Sequence, residues 1–575
     1  MLDLVLRGGT VVDGTGAPGR IADVGVRDGR IVVVGEVAEP ATRVIEVGGN
    51  VVGPGFVDLH THYDAQLLWD ATASPSVLHG VTTVLGGNCG FSIAPLGPGD
   101  AEYVQRMMAV VEGIPREALE GGGPWDWTSF AEYLDRLDGG LAVNAGFLVG
   151  HSTIRRVVMG AAATSDEASP AQLAAMVRLV EESVAGGALG FSSSLGEGHL
   201  DGDHQPVPSS SATFEEFVAL AGAIRGQAGT TLEFIPTIGP IPEDRMALMT
   251  DMSLAADRSL NWNLLGSLAS EEIYRQQLRA SDVAEAAGAH VVALALPDMM
   301  RMRATTLLEG LPGWRDVLAL DDDRLRQAIA DPGTRAELRS GAEKVARRSM
   351  GVLSDFALME VSDPGSEWVG RSLGVIATKR DTDVIDVLID VVLADRLTLT
   401  TVLPSLTPSL GRTDEGWRAR VEVWKDPRVM LGGSDAGAHL DLMCHANYPT
   451  VVLGEVVRER GLLAVEEAVE MMTDRPARHY GLRERGRIAE GWHADLVVFD
   501  PDRVATRPAA LLHDLPGGGE RLFAGSEGIE HVFVEGVEVV RDGAVTDRRP
   551  GRVLRSGRDT ETVTLADVRR SPPRR

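Results

Sequence analysis

At 575 residues with a formal net charge of -28 and two cysteines, the chain is too long for one simple core and too poor in cysteine for a disulfide framework. Hydrophobic residues at 44% and charged residues at 24% are ordinary for a folded, soluble protein and unlike a disordered chain. The negative balance argues against nucleic acid or an anionic membrane as a partner, because phosphate would be repelled. No apolar run reaches the roughly 18 residues of a membrane span. The opening MLDLVLRGGTVVDG has no basic segment ahead of an apolar one. A cytoplasmic protein acting on a small molecule is expected, with no nucleic-acid or membrane partner and homo-oligomerisation left open.

In chain order, residues 1–52 alternate short β-rich runs with Gly and Asp turns, and RDGR between two of them signals a hairpin. Residues 53–297 repeat a strand, a loop and a helix, with seven apolar strand candidates from GFVDLH (55–60) to HVVALAL (290–296). Helices with Ser or Thr starts and Gly stops, such as SPAQLAAMVRLVEESVAGG, lie between them. Residues 298–427 are far longer than a loop and carry helical patterns, so they predict an inserted helical subdomain over the strand ends. An eighth strand, RVMLGGSD (428–435), opens the segment 428–482. The β-rich style returns over 483–558, which predicts that the two chain ends pair into a small β-sandwich. Residues 559–575 end in RRSPPRR and predict a flexible tail. The fold class is α/β: a (β/α)₈ barrel, with a doubly wound sheet as the alternative.

A barrel of this kind carries its active site at the C-terminal strand ends. His60 and His62 end the first strand in PGFVDLHTHYD, and residues two apart in a strand share a face. Cys89 follows the second strand in GGNCGFSIAPL, and Asp435 ends the eighth in LGGSDAGAH. Imidazole, thiolate and carboxylate are the ligand set of zinc, which lowers the pKa of its bound water to about 7. Taken alone, His-x-His is more often a pair of half-buried capping histidines; the other ligands are what give it weight.

PGFVDLHTHYD, GGNCGFSIAPL, GHSTIRRVVMG, GFSSSL, GGSDAGAH and MMTDRPARHYGLRERGRIAEGWHADLVVFDP together resemble the N-acyl-D-amino-acid deacylase branch of the amidohydrolase superfamily, over nearly the whole chain. The resemblance implies hydrolysis of an N-acyl amide by metal-activated water, with one or two zinc ions. It implies His60, His62 and Cys89 as ligands and Asp435 as both ligand and general base.

The chain also departs from that pattern. The family's histidines after the fifth and sixth strands are absent; TTLEFIPTIG offers Glu233, and SLNWNLLGSL offers Asn261 and Asn263. A carboxylate can replace imidazole on zinc, whereas a neutral amide binds it poorly. The expectation is therefore one metal held mainly by His60, His62 and Asp435, with Glu233 or Cys89 assisting and the asparagines facing substrate. His151, after the third strand, is a candidate for orienting substrate or for a structural hydrogen bond. Arg301 and Arg303 are candidates for clamping a carboxylate or a surface basic pair, and His439 and His445 for bordering the pocket. The loop with His199, Asp201, Asp203 and His204 is a candidate for a stand-in ligand or a proton shuttle but is expected to be solvated. Cys444 is expected to be a small packed residue and Trp262 to pack outside the barrel. Besides an N-acyl-amino-acid deacylase, the sequence leaves open a hydrolase of another amide, cyclic amide or carbamate, and a non-catalytic binding descendant.

Overall fold

The computed structural model describes residues 1–196, 198–237, 239–265, 271–296, 302–303, 308, 311–320, 322–346, 357–360, 367–369, 371–394, 401–403 and 414–570. Near the N-terminus, Arg20–Arg27 and Arg30–Gly35 pair antiparallel with Arg27 opposite Arg30. The turn residues Asp28 and Gly29 both have positive φ, 50° and 73°, the conformation a two-residue hairpin turn demands and Asp-Gly tolerates. Val51–Pro54 runs parallel to Leu2–Val11 and antiparallel to Leu496–Phe499. One nine-stranded sheet thus takes strands from both ends of the chain.

The centre of the molecule is parallel. Phe56–Asp58, Val81–Gly86 and Asn144–Phe147 form a three-stranded sheet. Val149–Gly150, Gly190–Ser194, Thr231–Ile235, Leu260–Leu265, Val291–Ala295 and Val429–Leu431 form a six-stranded one. Only Leu148 separates the two sheets along the chain, and a parallel bridge between Thr61 and Ala436 links their other ends. The strands are buried on both faces, as parallel strands crossed by helices are. Val57, Leu85, Leu148, Leu189, Leu294 and Met430 share one cluster. Phe56, Val84, Phe191, Phe234 and Trp262 pack into another with helix residues such as Met176 and Val180.

The helices begin where the sequence places their caps. Ser169 closes a capping box with Gln172 ahead of Pro170–Ala185, and the Thr213 side chain accepts from the Glu216 N–H ahead of Phe214–Ala223; each cap satisfies an otherwise orphaned donor.

Within 298–427, the strands Met302–Arg303, Ala357–Glu360 and Thr401–Leu403 form a small antiparallel sheet. Helices including Pro332–Ala346 and Leu373–Arg380 build a separate core around Trp314, Leu338, Leu358 and Ile376. Helix Asp414–Lys425 lies in the same span but buries Trp417 and Trp424 in the main core. The segment expected as a tail from 559 onward is held in place through Arg570. Thr560 is buried and donates to the Gly229 carbonyl at 2.6 Å, and Leu565–Arg570 is helical; Ser571 to Arg575 lie outside the described residues. No helix among the described residues is long and apolar enough to cross a membrane.

Candidate metal centre

His60 and His62 follow Phe56–Asp58 and lie side by side, their rings 5.2 Å apart. The segment that carries Asp435 is laced to them through the main chain. The Asp435 N–H donates to the His60 carbonyl at 3.0 Å, and the His62 N–H donates to the Ala436 carbonyl at 2.7 Å. Buried Asp58 accepts from the Ser434 hydroxyl and N–H, fixing the two segments from below. Cys89 sits in the turn after Val81–Gly86, its N–H donating to Glu233 Oε2 at 2.7 Å. That turn needs glycine at Gly87, where a Cβ would meet the Leu148 carbonyl oxygen at 2.0 Å. Cys89 and Asp435 both hold positive φ, 59° and 58°, a strained conformation that concentrates at functional sites.

Three ligand atoms converge, and Asp435 stands beside two of them. Cys89 Sγ lies 3.3 Å from His60 Nε2 and 3.8 Å from His62 Nε2. Asp435 Oδ1 lies 3.0 Å from His62 Nε2 and 3.4 Å from His60 Nε2. Around a tetrahedral zinc with bonds of about 2.0–2.3 Å, neighbouring ligand atoms stand about 3.3–3.8 Å apart. The Cys89 spacings match that geometry, and the atoms of His60, His62 and Cys89 all lie within 4.8 Å of one another, with Asp435 outside that set and against the two histidines.

The four groups border a cavity of about 140 Å³ that also meets Glu112, His199, Asn263, His439 and His445. Neither Lys nor Arg is among its described lining residues, and imidazoles are the groups that face its acids there. Burial pushes Glu233 up to about 7 and Asp58 up to about 6. Burial, and then the charge of Asp435, push Glu112 well above the usual carboxylate range. Burial raises the Cys89 thiol, and the charge of Glu233 adds to it. Asp435 goes the other way: burial would raise it, but hydrogen bonds with His60 and His62 hold it well below its ordinary value. A buried cation would relieve these costs together, and the donor set fits a single zinc ion.

The remaining candidates divide. Glu233 does not join the three-atom cluster; its Oε1 accepts from Asn263 Nδ2, which also lies 2.8 Å from His60 Nδ1, so Glu233 and Asn263 brace Cys89 and His60 from behind. Asn261 is buried away from the cavity, its Oδ1 3.2 Å from His479 Nε2. His151 is fully buried with both ring nitrogens engaged, by Ser193 at 2.7 Å and Glu216 at 2.8 Å, so it faces the wall and not substrate. Arg303 pairs with Glu520 at 2.6 Å and does not line the cavity; Arg301 lies outside the described residues.

His199, expected in a solvated loop, instead lines the cavity, its Nδ1 3.1 Å from Ser194 Oγ and its ring against Phe91; burial lowers it to about 4. Asp201 ties that loop together, Asp203 pairs with Arg106, and His204 is exposed. Sequence reasoning missed Glu112. It follows helix Asp100–Val111, between Val111 and Gly113, and no spacing or motif singles it out.

A larger cavity, about 770 Å³, opens at the opposite strand ends, near Ser259, His290 and Val429. Its arginines are matched by acids, Arg487 with Asp474 and Arg485 with Asp495 and Glu535. The reactive groups gather in the smaller one.

A cation-seeking cavity of imidazole, thiol and carboxylate is the kind of site metal-dependent hydrolases use. The comparisons with known proteins agree. The Amidohydrolase family model matches residues 43–336 and 414–546. The D-aminoacylase of Alcaligenes xylosoxydans xylosoxydans is 32% identical, with 96% of this chain and 97% of that protein covered. The N-acyl-D-glutamate deacylase of the same organism is 30% identical, with 96% of each chain covered. The crystal structure of N-acyl-D-glutamate deacylase from Bordetella bronchiseptica, complexed with zinc and a phosphonate inhibitor, superposes with a TM-score of 0.62 at 25% identity, covering 96% of this chain and 100% of that one. The chain belongs to the amidohydrolase family, and it is an enzyme with deacylase homologues that act on amide C–N bonds.

Proposed function

We propose that the protein hydrolyses the amide bond of an N-acyl amino acid, with one zinc ion that His60, His62 and Cys89 would hold and with Asp435 beside the open fourth position. The observation that carries this reading is the convergence of the His60, His62 and Cys89 ligand atoms within 4.8 Å of one another, with Asp435 against both histidines, in a cavity without Lys or Arg among its described lining. The zinc in the Bordetella deacylase and the activities named for the Alcaligenes relatives support it. Bound there, zinc supplies the Lewis acidity that activates water and polarises the scissile carbonyl. Asp435 takes the proton from the attacking water and delivers it to the leaving nitrogen. Asn263 and Glu233 hold His60 and Cys89 in place, while His199 and His439 border the space left for the acyl group.

The same reading takes the parallel strands as a closed (β/α)₈ barrel, supported by the single-residue step at Leu148 and the Thr61–Ala436 bridge. The nine-stranded sheet supports a small β-domain built from both chain ends, and a content of two cysteines in 575 residues fits a reducing, cytoplasmic setting. A second reading, an uncharged or cyclic amide, is favoured by one observation: Arg303 is paired with Glu520, so it does not clamp a substrate carboxylate. Steady-state assays across N-acyl-D-amino acids, their L-forms, cyclic amides and carbamates decide between them. Turnover confined to the cyclic amides or carbamates would remove the deacylase assignment.

A further inference from the structure

We propose that Glu112 is a positioning residue of the metal centre: it holds the proton of His62 on Nδ1 and so turns the Nε2 lone pair toward the metal. The proposal rests on the metal-site reading above. Both side chains are buried, and Glu112 Oε1 lies 3.3 Å from His62 Nδ1, a buried ring nitrogen that makes no hydrogen bond to the described residues.

A neutral imidazole carries one N–H, and the partner of one ring nitrogen decides the role of the other. Without an acceptor at Nδ1, the proton of His62 would sit on Nε2, where Asp435 Oδ1 waits 3.0 Å away. That tautomer points a proton at the place where a cation must bind. Glu112 supplies the competing acceptor on the far side of the ring. His60 is served differently: its Nδ1 faces the Asn263 amide, whose two ends can exchange. Among the described residues, Glu112 is the carboxylate that faces His62 Nδ1.

The position of Glu112 is set by the loop that carries Asp435. Its backbone carbonyl accepts from the His439 N–H at 2.5 Å. The next residue, Gly113, has φ +55° and so little room that a Cβ would meet His439 Nδ1 at 2.8 Å. The end of helix Asp100–Val111 is therefore clamped against residues 435–439, and the carboxylate enters the site from a helix terminus, away from the strand ends.

Zinc affinity measured against a competing chelator tests the role without any substrate. Glu112→Gln keeps the shape and loses the charge; zinc should bind about 10–100-fold more weakly, as when a carboxylate behind a ligating histidine is removed. The melting temperature of the zinc-free protein should stay unchanged. Affinity within about threefold of wild type overturns the role. A wild-type protein that takes up no stoichiometric zinc overturns the metal site and this role with it, which separates the two failures. Should the variant not fold, ¹⁵N-histidine NMR of the zinc-free wild type, with His62 assigned by its loss in His62→Gln, reads the tautomer directly. A proton on Nδ1 supports the proposal, and a proton on Nε2 overturns it.

Discussion

Two regions of the molecule bury carboxylates and treat them in opposite ways. In the sheet formed by the chain ends, each buried acid has its cation. Glu535 meets Arg485 at 2.6 Å and His493 at 2.8 Å, and Glu538 meets Arg43 at 2.8 Å, His531 at 2.7 Å and Arg541. Burial would raise both acids, but these partners outweigh it and bring each down to about 2. Around the metal centre, Glu112, Glu233 and Asp58 are buried, the cavity lining holds no described Lys or Arg, and burial pushes all three up. The first region is self-sufficient, and its charges serve stability. The second is electrostatically incomplete, and an incomplete interior is where a bound cation belongs.

The largest expected effect comes from the acid that stands beside the metal-binding histidines. Asp435→Ala should lower turnover by roughly two to four orders of magnitude, the usual cost of a positioned acid–base group. The backbone hydrogen bonds that link residues 60–62 and 435–436 survive the change, so the circular dichroism spectrum should match wild type. Near-normal turnover in this variant would move proton transfer to another group, with His199 and His439 the next residues to replace.

The incomplete region should also be the one that zinc stabilises. At free zinc a hundredfold above its dissociation constant, binding to the native state alone contributes about 2.7 kcal/mol. Differential scanning calorimetry of the metal-stripped protein should show that gain on adding zinc. His60→Ala should abolish both the gain and the stoichiometric zinc found by elemental analysis. Equal stabilisation of the two proteins would place the cation elsewhere.

The comparison also shows where the sequence was legible. His60, His62, Cys89 and Asp435 stood out because each follows an apolar strand, and strand ends converge by the geometry of the parallel fold. The Asp28–Gly29 turn and the Ser169 cap were legible for a similar reason, since local chemistry settles them within four residues. His151, Asn261 and Arg303 follow or lie in strands of the same region, yet their partners Glu216, His479 and Glu520 are 65, 218 and 217 residues away. No local pattern announces such a partner, so residue type suggested a role that long-range pairing had already taken. Glu112 and His199 show the reverse. They enter the cavity from a helix terminus and a loop, where tertiary docking alone decides which side chain faces in.

The smallest expected effect belongs to the self-sufficient region and concerns pH. Glu535 has its carboxyl lowered from 4.5 to about 2 in the folded chain, so the native state favours the ionised form. The stability this contributes is fully present above the unfolded value near 4.5 and fades as pH falls toward 2. The full shift would amount to about 3 kcal/mol, less what Arg485 regains by keeping Asp495. Glu535→Gln should therefore cost on the order of 1–3 kcal/mol in urea unfolding at pH 7, and the gap to wild type should close as the pH is lowered from 4.5 to 2. A gap that stays constant across that range would mean that packing of the side chain, and not its charge, is what Glu535 contributes to this region. The distinction between a charge-matched scaffold and a charge-deficient site would then lose its first half.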